Sequence, residues 1–236
     1  VEVPCDMIET RKTTLAGAKM VGPFYFRFAR ANSPVFTTEK TPFKLGTAEV
    51  FRFGNDLTII AAGPLLYEAL VAAEMLSKDH GIEARVINCH SIKPFDEKTI
   101  VAAAKETGAV VTVEEGQVHG GLAGVVCETL ALTNPVPIER IGVQNLFGES
   151  GEPRQVQEAF GVTAPFIALA CDRVLQRKMG NPVSKIPAHI QAAEEQRLLM
   201  RESVMNEALS RAPVKWGGKS GRSGSAGKPN VPMHTK

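Results

Sequence analysis

Between Gly46 and Gly180 the chain repeats one pattern, a short apolar run followed by a longer amphipathic run closed by glycine or asparagine. That alternation limits the possible folds more than any other feature. LTIIAAG (57–63) is continuously apolar, as a strand buried on both faces must be. Pro64 then opens LLYEALVAAEMLSKDHG, which carries Leu66, Ala69, Leu70, Ala73 and Leu76 at helical spacing and stops at Gly81. The cycle continues with ARVINCH and DEKTIVAAAKETG, the latter capped by Asp96 and stopped by Gly108. Next come AVVTVEE and GLAGVVCETLALTN, then PIERIGV and EPRQVQEAFG, with TAPFIALACDRVLQRKMG closing the series. Strands alternating with helices at this spacing specify a three-layer α/β domain with a mostly parallel sheet covered on both faces. GTAEVFRF (46–53) alternates instead and meets a Gly54-Asn55-Asp56 turn, which predicts a hairpin and one antiparallel edge strand.

The flanks follow other rules. VEVPCD has strand character, Asp6 is placed as an N-cap with Glu9 three residues on, and a helical pattern runs to Gly22. FYFRFAR (24–30) then predicts a strand, ended by Ser33-Pro34. Residues 1–34 therefore belong to one unit, 35–45 form a polar, Pro-containing linker, and 46–180 form the repeating domain. Residues 181–211 are expected to be a helical extension, and 212–236 a disordered Gly/Ser/Lys-rich basic tail. Val at position 1 predicts that the chain begins inside a domain.

Composition narrows the partners. With 27 Lys plus Arg against 25 Asp plus Glu the net charge is +2, which gives no reason to expect nucleic acid. Cys5, Cys89, Cys127 and Cys171 lie far apart in apolar or periodic segments without C-x-x-C spacing, and are expected to be free buried thiols. No apolar run reaches the ~18 residues of a membrane span and no signal peptide opens the chain, so a cytoplasmic location is the default.

Several chemistries lack their motif. There is no G-x-G-x-x-G after a strand, no P-loop and no G-x-S-x-G. Of five histidines only His90 and His119 fall where strands end, the side on which open parallel sheets place ligands. Around His90 and Lys93, Pro94 stops the strand and Asp96 caps the next helix, a structural reading that stands beside a surface role. Glu114-Glu115-Gly116 leading to His119-Gly120-Gly121 suits an anion site on helix amides or close helix-on-sheet packing, and the adjacent carboxylates favour packing. In a strand, Arg27 shares a face with Tyr25 and Ala29, whereas Arg30 shares the other with Phe24, Phe26 and Phe28. Arg30 closes the strand, where a guanidinium suits bidentate contact with phosphate; mid-strand Arg27 is expected to reach an acidic neighbour.

These segments in this order, GPFYFRFARAN, FKLGTAEVFRFGNDLTIIAAG, EALVAAEMLSKDHGIEARVINCHSIKPFD, TGAVVTVEEG, HGGLAG and FGESGEP, resemble the carboxyl-terminal half of transketolases. The likeness covers roughly residues 1–178 and is particularly close to the second subunit of the split form. The resemblance implies part of a thiamine-diphosphate enzyme that moves a two-carbon ketol unit between sugar phosphates. It makes residues 1–34 the end of a pyrimidine-binding α/β domain and 46–180 the C-terminal domain, which supports a homo- or heterodimer. Ala29-Arg30-Ala31-Asn32 matches the segment that carries the family's substrate-phosphate arginine, so Arg30 is the expected substrate-binding residue. The family's cofactor-activating glutamate and channel histidines would lie upstream of Val1. Its thiamine-diphosphate and Mg2+ site belongs to an earlier domain, so this chain is expected to supply no catalytic, cofactor or metal-binding residue and to need an N-terminal subunit or segment. Gly116 stands where transketolases often have histidine. That keeps open a 2-oxo acid dehydrogenase β-type subunit or a deoxyxylulose-phosphate synthase, and beside them a non-catalytic dimerisation or partner-binding module.

Overall fold

The computed structural model describes residues 1–180, which lie in one compact unit. The expected extension and tail, 181–211 and 212–236, lie outside the described residues.

The repeating series folds as its periodicity requires. Helix α1 (Met7–Gly17) precedes strands β1 (Glu49–Arg52) and β2 (Leu57–Ala61), helix α2 (Leu65–His80), strand β3 (Ala84–Asn88) and helix α3 (Glu97–Thr107). Strand β4 (Val110–Gln117), helix α4 (Leu122–Thr133), strand β5 (Ile138–Val143) and helices α5 (Pro153–Ala159) and α6 (Ala164–Met179) complete it. The strands lie in the order β1-β3-β2-β4-β5, all parallel to their neighbours except β1, which is antiparallel to β3. Ile59 and Val111 send their side chains into one core with α2 and α6, while Ile60 and Val110 feed the other with α3 and α4. Three layers result, and β2 is buried along its whole length. Gly81, Gly108 and Gly180 end α2, α3 and α6 with left-handed backbone, as the sequence predicts.

Three expectations need correction. β1 and β2 follow one another but do not pair, so there is no hairpin between them. β2 already has β3 on one side and β4 on the other, and the outer side of β3 is the free edge that β1 takes. The Gly54 turn carries the chain there: an added Cβ would fall 2.3 Å from the Glu83 carbonyl oxygen. Second, α1 stops at Gly17 rather than Gly22, because the chain reverses and the Phe24 ring lies where a Gly17 side chain would be. Third, residues 24–30 do not form a strand, nor do residues 1–6. Their pairing is an isolated parallel bridge, Glu2 to Phe26, with Glu2 also bridging antiparallel to Ser91. A strand needs a continuous ladder on at least one side, and among the described residues Glu2 alone supplies backbone partners to this segment, accepting from Arg27 and donating to Tyr25.

Residues 1–4 also cover the carboxyl ends of β2 and β3. Val3 N–H donates to His90 O at 2.7 Å, Gly63 N–H to Val3 O at 3.1 Å and Ile92 N–H to Val1 O at 2.9 Å. Since β3 and β4 lie on opposite sides of β2, the sheet's winding reverses beside this cover, between the carboxyl ends of β2 and β4, the usual ligand crevice of an open α/β sheet.

Candidate functional site

The two arginines of the aromatic segment have opposite surroundings. Phe24, Phe26 and Phe28 stack in succession, centroids 5.8 and 5.6 Å apart, so extended alternation holds without a ladder. Tyr25 and Arg27 face the other way, into a groove of about 260 Å3 over the ends of β2 and β4. There Arg27 donates to Glu115 at 3.3 Å, the acidic neighbour expected for it. Burial pushes the Glu115 carboxyl above the usual range although the Arg27 charge opposes it. Arg30 is exposed and makes no hydrogen bond or ion pair among the described residues.

Residues around Arg30 border a larger space. Phe28, Ala29, Ala31 and Asn32 form one wall of a cavity of about 450 Å3, and Asp6, Met7 and Thr10 at the start of α1 form the other. Asp6 caps α1, accepting from Glu9 N–H at 3.0 Å, and the same carboxylate accepts from Phe36 N–H, Thr37 N–H and the Thr37 hydroxyl. Burial pushes this carboxyl up, but its hydrogen bonds outweigh that and hold it below the usual carboxylate range. Glu9 does not close the cap reciprocally on Asp6. Its carboxylate accepts from Cys5 N–H at 2.6 Å and from Asn88 Nδ2 at 2.7 Å, docking α1 onto the end of β3. The D-x-x-E spacing signals a helix start, but nothing in it signals either long-range bond.

The remaining candidates separate cleanly. His90 is fully buried, stacked on Phe43 with centroids 4.7 Å apart and with Nε2 2.9 Å from Lys44 O, so it serves packing rather than an open surface. Lys93 is exposed. His119 is exposed at the rim of the Arg27 groove. The helix start after it offers no open anion seat, because Glu114 already fills it: Leu122 and Ala123 N–H donate to its two oxygens at 3.0 and 2.9 Å. Burial raises the Glu114 carboxyl even so, with the two amides and Arg27 acting against it. Gly116 and Gly121 border that carboxylate, and a Cβ at Gly121 would lie 2.0 Å from its Oε2. Among the described residues no group of three or more His, Cys, Asp or Glu is placed to hold a metal ion. Nor, among them, is any helix long and apolar enough to cross a membrane.

Comparison with known proteins agrees with this architecture. Residues 46–167, more than half of the chain, match the model of the transketolase C-terminal domain. The chain is 44% identical over 157 residues to the 6-deoxy-6-sulfo-D-fructose transketolase subunit SqwH of Clostridium sp. (strain MSTE9), covering 66% of this chain and 48% of that protein. It is 40% identical over 163 residues to one subunit of the apulose-4-phosphate transketolase of Phocaeicola vulgatus, covering 69% and 52%. To the 1-deoxy-D-xylulose-5-phosphate synthase of Trichormus variabilis it is 37% identical over 188 residues, covering 78% of this chain and 29% of the synthase. A solved structure described as a split gene transketolase, inactive beta4 tetramer, superposes with a TM-score of 0.70 at 37% identity, over 75% of this chain and 57% of that one. The chain thus spans about half the length of the two transketolase subunits it matches. Sheet order, the two cores and the sequence match agree, and the chain belongs to the transketolase C-terminal domain family.

Proposed function

We propose that this chain is the carboxyl-terminal portion of a transketolase which, completed by an N-terminal subunit or segment, transfers a two-carbon ketol unit between sugar phosphates with thiamine diphosphate and Mg2+. In this reading residues 1–34 end the pyrimidine-binding domain, 35–45 link it to the C-terminal domain, and 46–180 support a homo- or heterodimeric assembly. Four free thiols, three of them buried, suit a cytoplasmic location. The described residues do not fit the cofactor: they converge no metal-ligand set, and Glu114 occupies the helix-start amides that could have met a diphosphate. In this reading cofactor and metal are bound mainly by the N-terminal subunit or segment.

Arg30 carries the reading. It is an exposed guanidinium that nothing among the described residues engages, whereas Arg27 is neutralised by Glu115. A planar fork of donors takes phosphate bidentately, and binding energy gathered at that remote group orients the reacting carbonyl. The sugars named for the two transketolase subunits, 6-deoxy-6-sulfo-D-fructose and apulose-4-phosphate, both carry an anionic group that such a fork suits.

In the completed enzyme Arg30→Ala should raise KM for xylulose 5-phosphate about 10- to 100-fold, the loss of a hydrogen bond to a charged group being about 1.5–3 kcal/mol. KM for an unphosphorylated ketose should stay within about twofold, and Arg27→Ala should discriminate between the two by no more than that. Equal effects of Arg30→Ala on both substrates would remove the phosphate role. A second reading, in which the parent is a 1-deoxy-D-xylulose-5-phosphate synthase or a 2-oxo acid dehydrogenase β-type subunit, is favoured by Gly116. An added Cβ there would sit 3.1 Å from Glu114 Oε2, so the position suits the small residue. Offering the assembled enzyme xylulose 5-phosphate with an aldose phosphate, against a 2-oxo acid, separates the two.

A further inference from the structure

We infer that Asp6 is the positioning residue for Arg30, holding the segment that presents the guanidinium at the distance a phosphate requires; this rests on the phosphate-binding reading of Arg30. Residues 28–35 make no hydrogen bond or ion pair among the described residues, and the cavity of about 450 Å3 beneath them leaves little packing to hold them down. Their placement depends on the two ends. The first is the Arg27 N–H bond to Glu2 O at 2.9 Å. The second is Asp6, whose Oδ2 accepts from Phe36 N–H at 3.0 Å and Thr37 N–H at 2.7 Å, and whose Oδ1 accepts from the Thr37 hydroxyl at 2.7 Å.

Lys12 ties the following residues through Thr38 O and Thr41 O, but it is Asp6 that grips the residue immediately after the unsupported stretch. The same carboxylate caps α1, and α1 is docked on β3 through Glu9 and Asn88. A buried carboxylate 3% exposed with four donors is far more than a helix cap needs. It links the arginine segment to the rigid sheet, and positioning of this kind governs how fully a remote binding group contributes.

Asp6→Asn separates the two roles. Asparagine is as good an N-cap as aspartate, so α1 keeps its start, but an NH2 now faces N–H donors that require an acceptor. In the enzyme completed by its N-terminal portion, Asp6→Asn should raise KM for xylulose 5-phosphate about tenfold, the factor for losing one such bond. Both kcat and KM for an unphosphorylated ketose should stay within about twofold. Combined with Arg30→Ala it should add no further rise, because the two act as a unit. Amide hydrogen exchange at Phe36 and Thr37 should quicken while β2 and β4 keep their protection. Thr37→Val, which removes only the hydroxyl bond, should give a smaller rise of about threefold and serves if Asp6→Asn fails to fold. Unchanged KM, an equal rise for both substrates, or a full further rise on top of Arg30→Ala overturns the positioning role with Arg30 still in place. If Arg30→Ala alone shows no phosphate selectivity, the parent reading fails first and Asp6 falls with it.

Discussion

Replacing Gly121 with alanine would place a methyl group 2.0 Å from Glu114 Oε2, 2.9 Å from its Cδ and 3.1 Å from Oε1. The backbone itself tolerates the change, since φ at Gly121 is −106°. The side chain of Glu114 is what must yield. It can swing away only by giving up its bonds to Leu122 and Ala123 N–H, which leaves two buried donors at the start of α4 without their charged acceptor. Hydrogen bonds to charged groups are worth about 1.5–3 kcal/mol each, so the two together set a cost of about 3–4 kcal/mol after partial relaxation of the helix start. With a urea m-value of about 2–3 kcal/mol/M, the unfolding midpoint followed by circular dichroism should fall by about 1–2 M. A midpoint within about 0.3 M of the parent would refute the reasoning. So would an equal loss in a Glu114→Ala background, where the methyl meets no carboxylate and the penalty should shrink by more than about 1 kcal/mol.

Gly54→Ala should be at least as damaging, because its Cβ would meet backbone at 2.3 and 2.4 Å, Glu83 O and Ala84 C, which cannot rotate aside; a loss above about 3 kcal/mol by the same denaturation assay is expected. Acid should weaken the fold through Asp6 and Asp96, whose hydrogen bonds outweigh burial and leave both below the usual range. A depressed native value adds stability above the unfolded pKa of about 3.9 that is lost as pH falls through the native one. The denaturation midpoint should therefore drop below about pH 4, less steeply in Asp6→Asn than in the parent. Glu114 and Glu115, raised by burial, act with the opposite sign, stabilising below about pH 4.3 and losing that as pH rises through their native values.

The layered domain was legible because its determinants are local and periodic. Pro64, Asp96 and the glycines at 81, 108 and 180 mark boundaries by their own backbone preferences, and unbroken runs such as LTIIAAG declare burial on both faces. Where sequence reading failed, the deciding partner lay far along the chain. FYFRFAR has strand composition but, among the described residues, only Glu2 to pair with, and composition cannot report a missing ladder. The Gly54 turn has hairpin chemistry, yet β4, more than fifty residues on, occupies the side of β2 that a hairpin would need. That Arg27 reaches an acidic neighbour was readable from its place inside the aromatic run, and Glu115 is that neighbour. The second duty of Asp6 was not readable, since its bonds to Phe36 and Thr37 cross thirty residues with no spacing rule.

The covering of β2 and β3 by residues 1–4 lies beside the reversal point of this sheet and is made by the chain's own backbone. Its bonds run through carbonyls and amides that carry no side-chain identity. The cover is a joint. Pressure there falls on shape rather than on recognition, so Val1, Val3 and Ile92 can change within a volume limit while the register of that short splice cannot. Because β2 and β3 each send side chains into both cores, this one joint fastens the leading segment to the two of them together.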